Sequence, residues 1–383
     1  MKLIRVALTL LLCLFVGCQP DRHVQPVEYF NEIGPAVEEE IQKGNFPGAV
    51  VLVGKGDEIL YWEAFGREVN EPFQEPAEKN TIFDLASMTK PIATATSILI
   101  LTDRGSLGLD DRVGKYLPAF ACNGKEEAQI RHLLTHTSGL PAYTNAKVLK
   151  EEFGNPCPDK VIRKICGLHA VSAPGESFRY SCLGYITLAS IVEVVSGKDI
   201  AEFSKRNIYT RLGMKATGYN PPESQLQEIA ATEIVDGQLL RGTVHDPLAQ
   251  LMDGKSGNAG LFSSVYDLSV YCRMLLSKGV LKRRRILSAE SVAMLTTEQS
   301  HGRACGFDVN SSYAWVKGDH APEEAFCHTG YTGTSLVCDP TSGLYVIILT
   351  NRAHPDDGGA TKPIRRRVAD IVFSSLKTTR SAQ

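Results

Sequence analysis

The stretch Thr81-Ile82-Phe83-Asp84-Leu85-Ala86-Ser87-Met88-Thr89-Lys90-Pro91, leading into the apolar run Ile92 to Leu101, decides how this chain is read. The run reads as a buried helix with Pro91 in its first turn, where the N–H that proline lacks would have no partner in any case. Positions three apart share one helix face, so the Lys90 amine can reach the Ser87 hydroxyl and, if desolvated, take its proton. That is the design of a nucleophilic serine. Backbone N–H groups at such a helix start are unpaired and can face a developing anion. A second Ser-x-x-Lys, Ser374-Ser375-Leu376-Lys377, closes the C-terminal helical stretch just before a polar tail and reads as coincidence.

The rest of the chain gives this motif a globular setting. With 383 residues, 43% hydrophobic and 22% charged, it can bury a substantial core. A net charge of −2, with basic runs only at Lys282-Arg283-Arg284-Arg285 and Arg365-Arg366-Arg367, argues against nucleic acid as a partner. Both runs are expected on solvated faces.

The first residues behave differently. Lys2 and Arg5 precede an uncharged apolar stretch, Val6 to Val16, that is too short to span a bilayer comfortably. Residues 1–18 read as an export signal ending in Leu14-Phe15-Val16-Gly17-Cys18, which resembles the bacterial lipobox, although that pattern prefers leucine where Phe15 stands. The resemblance implies a lipid on Cys18 and a membrane-anchored or periplasmic protein, in the outer membrane if the host has one, since Gln19 rather than aspartate follows. Ordinary signal cleavage after a small residue is the other reading. Residues 19–27 form a short tether. An oxidising compartment permits disulfides; no Cys-x-x-Cys pair occurs, so zinc and thioredoxin-like sites are poor readings. Cys327 and Cys338 flank a glycine-containing segment, where a cross-strand bridge is possible.

Val27 to Lys43 carries apolar residues at helical spacing. Ala49 to Val53 and Ile59 to Trp62, separated by Gly54-Lys55-Gly56-Asp57, read as strand, turn and strand. Thr334 to Cys338 and Leu344 to Thr350 form a similar pair, and Lys362 to Leu376 is again helix-like. Strand pairs and a helix at each end, around a mostly helical middle from about 105 to 278, predict one α/β domain over 28–378. Its sheet is built from both termini and flanked by helices, with the middle as an inserted subdomain.

Two further segments bear on chemistry. Tyr180-Ser181-Cys182 places a phenol that can relay protons beside a serine and a lysine, provided a cation lowers its pKa. Cys327-His328-Thr329-Gly330-Tyr331-Thr332-Gly333 enters the later strand pair. Its glycines let a substrate lie close to the strand, and an inward N–H there can complete an oxyanion hole.

In this order and spacing, the three segments resemble the serine β-lactamase and penicillin-binding protein-like superfamily, especially its class C β-lactamase, D-alanyl-D-alanine carboxypeptidase and esterase branch. Matching segments include His132 to Leu140, Leu212-Gly213-Met214, Val244 to Pro247 and Gly257 to Phe262. The resemblance spans nearly the whole mature chain and implies a β-lactamase/transpeptidase-like fold. It makes Ser87 the nucleophile, Lys90 its general base and Tyr180 the proton relay to the leaving group. His328 stands where the family carries lysine or histidine, and the backbone N–H groups of Ser87 and Tyr331 form the oxyanion hole. Cys182, Thr329 and Gly330 border the substrate. Cys182 departs from the family's Tyr-x-Asn motif, and a thiol cannot give the two amide hydrogen bonds expected there. Peptide and β-lactam substrates are therefore expected to be held less well than simple esters.

Arg352 follows a strand and could bind a substrate carboxylate, a surface ion pair being its other common fate. His132 and His136, four apart, could face one metal, but no acidic third ligand is near, so no metal is expected. His245-Asp246 fits either the site wall or a bracing role. The expectation is an exported, monomeric serine hydrolase that needs no cofactor and acts through an acyl-serine on a small-molecule ester or amide or on a peptidoglycan peptide. A covalent β-lactam sensor and an inactive lipoprotein stand as the alternatives.

Overall fold

The computed structural model describes residues 30–381, the side chains of 376–381 excepted. The export signal, Cys18 and the tether lie outside the described residues.

The chain builds one six-stranded sheet from its two ends. The N-terminal half gives β1 (Gly48–Lys55) and β2 (Glu58–Val69), and the C-terminal part gives β3 (Phe326–Thr329), β4 (Ser335–Cys338) and β5 (Leu344–Thr350). The spatial order is β3-β4-β5-β1-β2, with the two-residue strand Glu75–Pro76 at the edge. All pairings are antiparallel, and β1 lies against β5 with Ala49 opposite Thr350 and Lys55 opposite Leu344. The first and last strands in the sequence thus meet at the centre of the sheet.

Successive side chains of β1 point to opposite faces, and both faces are buried. Ala49, Val51 and Val53 pack with the helices α1 (Ile33–Gln42) and α2 (Lys362–Ser381), through Ile33, Ala36 and Val37 on one and Ile364, Val368 and Phe373 on the other. Val50 and Leu52 face the larger core, which runs through Ile92, Ile98 and Leu99 into the helical middle of the chain. This explains why β1 reads as a continuous apolar run rather than an alternating one.

Two expectations fail here. Cys327 pairs with Val337, and Cys338 with Phe326, so the two cysteines are out of register and face opposite cores. A one-residue offset on a pleated strand turns a side chain to the other face, and both remain free thiols. The run Arg365-Arg366-Arg367 is also not wholly solvated. Arg366 and Arg367 pair with Asp319 and Glu39 at the surface, whereas Arg365 is 6% exposed and donates to the Gly330 carbonyl. The four basic residues 282–285 are exposed, as expected.

No helix among the described residues is long and apolar enough to cross a membrane.

Candidate active site

Ser87 does not sit in a regular α-helix. It occupies a short 3-10 turn, Ala86–Met88, followed by a π-helical stretch, Lys90–Ala95, before the α-helix Thr96–Asp103. Ala86 has φ +46°, a left-handed conformation that is unusual for a residue with a Cβ. It is held by Asp84, whose carboxylate accepts the Ala86 N–H at 2.8 Å and the His245 N–H at 2.7 Å. The strained turn lifts the serine into partial exposure while its neighbours remain buried.

Lys90 is fully buried, and its Nζ donates to Ser87 Oγ at 3.0 Å and to the Asn258 carbonyl at 3.0 Å. The same ammonium lies 5.0 Å from the centre of the Tyr180 ring. Ser87, Lys90 and Tyr180 therefore converge at one place. Burial is the strongest influence on the Lys90 amine and acts to lower its pKa, but the anionic forms of Cys182 and Tyr180, and more weakly the Asp246 carboxylate, outweigh it. The net direction is upward. Two of those groups are themselves held protonated by burial, so the upward pull on Lys90 develops only as they ionise, while Nζ keeps its two oxygen acceptors.

Tyr180 is also not what the residues alone imply. Burial raises its pKa more than Lys90, a hydrogen bond to Ser87 and Arg303 lower it, so the phenol stays protonated. Its ring is fixed by His136 at 4.3 Å and stacked on Tyr313 at 5.1 Å. Cys182, the first residue of the helix Cys182–Ser196, donates its N–H to the Ala142 carbonyl, and burial raises its thiol pKa.

His328 is buried on β3. Burial, with Arg303 and Lys90, holds the imidazole well below its ordinary range, so it is neutral in neutral solution. Its Nδ1 is 2.9 Å from the Thr329 carbonyl, which can only accept, so Nδ1 carries the hydrogen and Nε2 the lone pair. That Nε2 is buried without a protein partner, and the ring centre lies 6.4 Å from that of Tyr180. His328 is thus an acceptor beside the phenol, not a cation.

The turn after β3 is stitched to the segment before the serine. Thr332 Oγ1 donates to the Asp84 carbonyl at 2.6 Å and Thr334 Oγ1 to the Leu85 carbonyl at 3.0 Å. A Cβ on Gly330 would lie 2.3 Å from the Leu85 carbonyl oxygen, so only glycine allows this approach. The N–H groups of Ser87 and Tyr331 find no acceptor among the described residues, and the stitching keeps their two segments together.

Arg352 donates from Nε to the Tyr331 carbonyl at 2.6 Å, and its remaining nitrogens go to Gly359 and Asp357. The guanidinium also covers the Tyr331 ring at 4.3 Å. Engaged in this way, Arg352 holds the Tyr331 turn and is not offered to a substrate carboxylate. His245 stacks on Tyr331 at 5.5 Å and bonds Glu233, and Asp246 caps the helix Pro247–Leu251. Both members of the pair thus brace the loop.

His132 and His136 each use Nδ1 to accept a backbone N–H, from Gln129 and Ser181 respectively. No group of three or more His, Cys, Asp or Glu side chains is arranged to hold a metal among the described residues. The hydroxyls of Ser374 and Ser375 donate to carbonyls of their own helix.

Three contributors had no motif to announce them. Asp84 shapes the nucleophile turn. Arg303 is wholly buried, pairs with Asp308 and lies 5.8 Å from the Tyr180 ring centre, a cation behind the phenol. Arg365 donates to the Gly330 carbonyl at 2.7 Å. Each depends on contacts between segments far apart in sequence.

A strained serine turn, a lysine three residues on, a phenol from a second segment and a glycine turn on an edge strand define the β-lactamase-related class of serine hydrolases. The Beta-lactamase family profile matches residues 35–370, and the chain belongs to that family. It is 33% identical over 359 residues to an N-acetylmuramyl-L-alanine amidase of Bacillus subtilis (strain 168), covering 84% of this chain and 81% of the relative. It is 31% identical over 370 residues to a putative D-alanyl-D-alanine carboxypeptidase of Escherichia coli (strain K12), covering 88% and 85%. A penicillin-binding protein homologue from Caulobacter crescentus shares the fold with a TM-score of 0.73, at 20% identity over 91% of this chain and 98% of its own.

Proposed function

We propose that this chain is an exported serine hydrolase that transfers the acyl group of a carboxylic ester or amide to Ser87 and then to water. The observation that carries this reading is the 3.0 Å contact between Lys90 Nζ and Ser87 Oγ, with the Tyr180 ring 5.0 Å from the same nitrogen. Lys90, once deprotonated, takes the Ser87 proton as Oγ attacks the carbonyl carbon. The oxyanion forms between the N–H groups of Ser87 and Tyr331. Tyr180 passes its one proton to the leaving group and regains one from the Lys90 ammonium, which carries the proton taken from Ser87. Thr329 and Gly330 border the substrate on the strand, and water then releases the acyl group from Ser87. No cofactor is needed for these steps.

Two relatives carry names that refer to a muramyl-alanine and an alanyl-alanine bond, which supports a peptidoglycan peptide as substrate. Cys182 favours the ester, since a thiol cannot take the place of an amide that both donates and accepts. Export and lipid anchoring at Cys18 rest on residues 1–18 alone.

Turnover of a nitrophenyl ester and of a fluorescent penicillin, by the wild type and by Cys182→Asn, tests the reading. Sustained product release is expected from the wild type, with the ester turned over faster. Cys182→Asn should raise the amide-to-ester rate ratio by about tenfold, the scale of one charge-free hydrogen bond. A lasting adduct without turnover would make the chain a covalent sensor, and an unaltered ratio would remove the ester preference.

A further inference from the structure

Arg365 is an arginine in an unfavourable place. It sits in the first turn of α2, where the helix dipole disfavours a cation, and it is 6% exposed with no carboxylate bonded to it. Burial, and then Arg352, pull its pKa down to about 9, which leaves it charged at neutral pH. Burying an unpaired guanidinium is costly unless its hydrogen bonds return something. Its Nη2 makes one bond to the substrate side of the molecule, donating to the Gly330 carbonyl at 2.7 Å.

That carbonyl belongs to the same peptide group as the Tyr331 N–H. A trans peptide is planar, so fixing the direction of the C=O fixes the opposite direction of the N–H. A cation on the oxygen also draws electron density along the amide and makes the N–H a stronger donor, the usual cooperativity of chained hydrogen bonds. On the far side of Tyr331, Arg352 holds the next carbonyl at 2.6 Å. The two arginines thus grip consecutive peptide groups.

We infer that Arg365 is a positioning residue for the oxyanion hole, aiming and polarising the Tyr331 N–H through the Gly330 carbonyl without touching substrate. The inference rests on the reading that the Tyr331 N–H receives the oxyanion, and it adds to that reading a buried residue from α2.

The test uses the full chain as wild type, Arg365→Met, Arg365→Lys and the surface control Arg366→Met. Each is acylated with a nitrophenyl ester carrying a ¹³C carbonyl, and the acyl-Ser87 carbonyl band is read by isotope-edited infrared spectroscopy beside kcat and KM. The expected result is a band at higher wavenumber in Arg365→Met than in wild type, with kcat down about tenfold and KM little changed, a fraction of the cost of losing an oxyanion donor outright. Arg366→Met should match the wild type. Arg365→Lys, which keeps the charge on a shorter reach, should fall between, and it alone decides the matter if Arg365→Met does not fold. An unchanged band and kcat in a folded Arg365 variant would overturn the inference and leave the hydrolase reading standing. Absence of any acyl-Ser87 in the wild type would overturn both.

Discussion

Lys90 carries the chemical tension of the site. It must lose a proton to act as a base, yet its pKa is pushed upward while it donates to Ser87 and to Asn258. Only the unprotonated fraction can take the serine proton. That fraction grows about tenfold per pH unit until the amine's pKa is reached, and the upward direction places that point on the alkaline side. A pH profile of kcat/KM on a nitrophenyl ester should therefore climb through pH 7 to 9 without levelling. His328, already neutral through this range, should add no limb near pH 6. A plateau that begins near pH 6 would show that burial prevails and that Lys90 is already free of its proton in the resting state. Residue identity alone made Ser87 and Lys90 legible, because a three-residue spacing is a local property. It could not give the direction in which the Lys90 pKa moves, which depends on Cys182, Tyr180 and Asp246 from other segments. Arg352 was visible as a strand-end arginine, but its partners Tyr331, Asp357 and Gly359 belong to a turn whose path only the fold determines.

At the scale of elements, the site depends on two segments held together: the turn Ala86–Met88 and the turn after β3. Thr332 and Thr334 reach across to the carbonyls of Asp84 and Leu85, and Gly330 lets the backbones touch. In Gly330→Ala the new methyl would meet the Leu85 carbonyl at 2.3 Å and the Thr334 hydroxyl at 2.1 Å. The turn must then move outward, taking the Tyr331 N–H with it. The substitution should cost about 1–3 kcal/mol of stability by denaturant unfolding and lower kcat by more than tenfold, roughly the loss of one oxyanion donor. Near wild-type kcat in a folded Gly330→Ala would show that the turn has no part in the reaction. The strands themselves were legible as apolar runs bounded by glycine and aspartate. The 3-10 and π-helical turns around Ser87 were not, because sequence periodicity does not separate them from an α-helix start; it is the carboxylate of Asp84 that holds the Ala86 kink.

At the scale of the whole molecule, β1 and β5 join the early and late strand pairs in the middle of one sheet, which brings the nucleophile turn and the His328 strand together. Leu52, fully buried between Trp62 and Ile347, supports the core that backs Ile92 and the Ser87 helix. Leu52→Ala should cost about 3 kcal/mol in chemical denaturation with little change in kcat per folded molecule; a loss below about 1 kcal/mol would contradict so central a position. The architecture was legible because strand pairs and helices recur at both termini. The pairing of Cys327 and Cys338 was not, since register decides which face each thiol occupies. The proposed reaction requires an acyl group carried by one hydroxyl, that of Ser87. Intact-mass spectrometry of the protein quenched during turnover of a nitrophenyl ester, followed by peptide mapping, should find the added acyl mass on Ser87 in the wild type and none in Ser87→Ala, which should also lose at least about a thousandfold in rate. An unmodified Ser87 in the wild type, or undiminished turnover by Ser87→Ala, would contradict it.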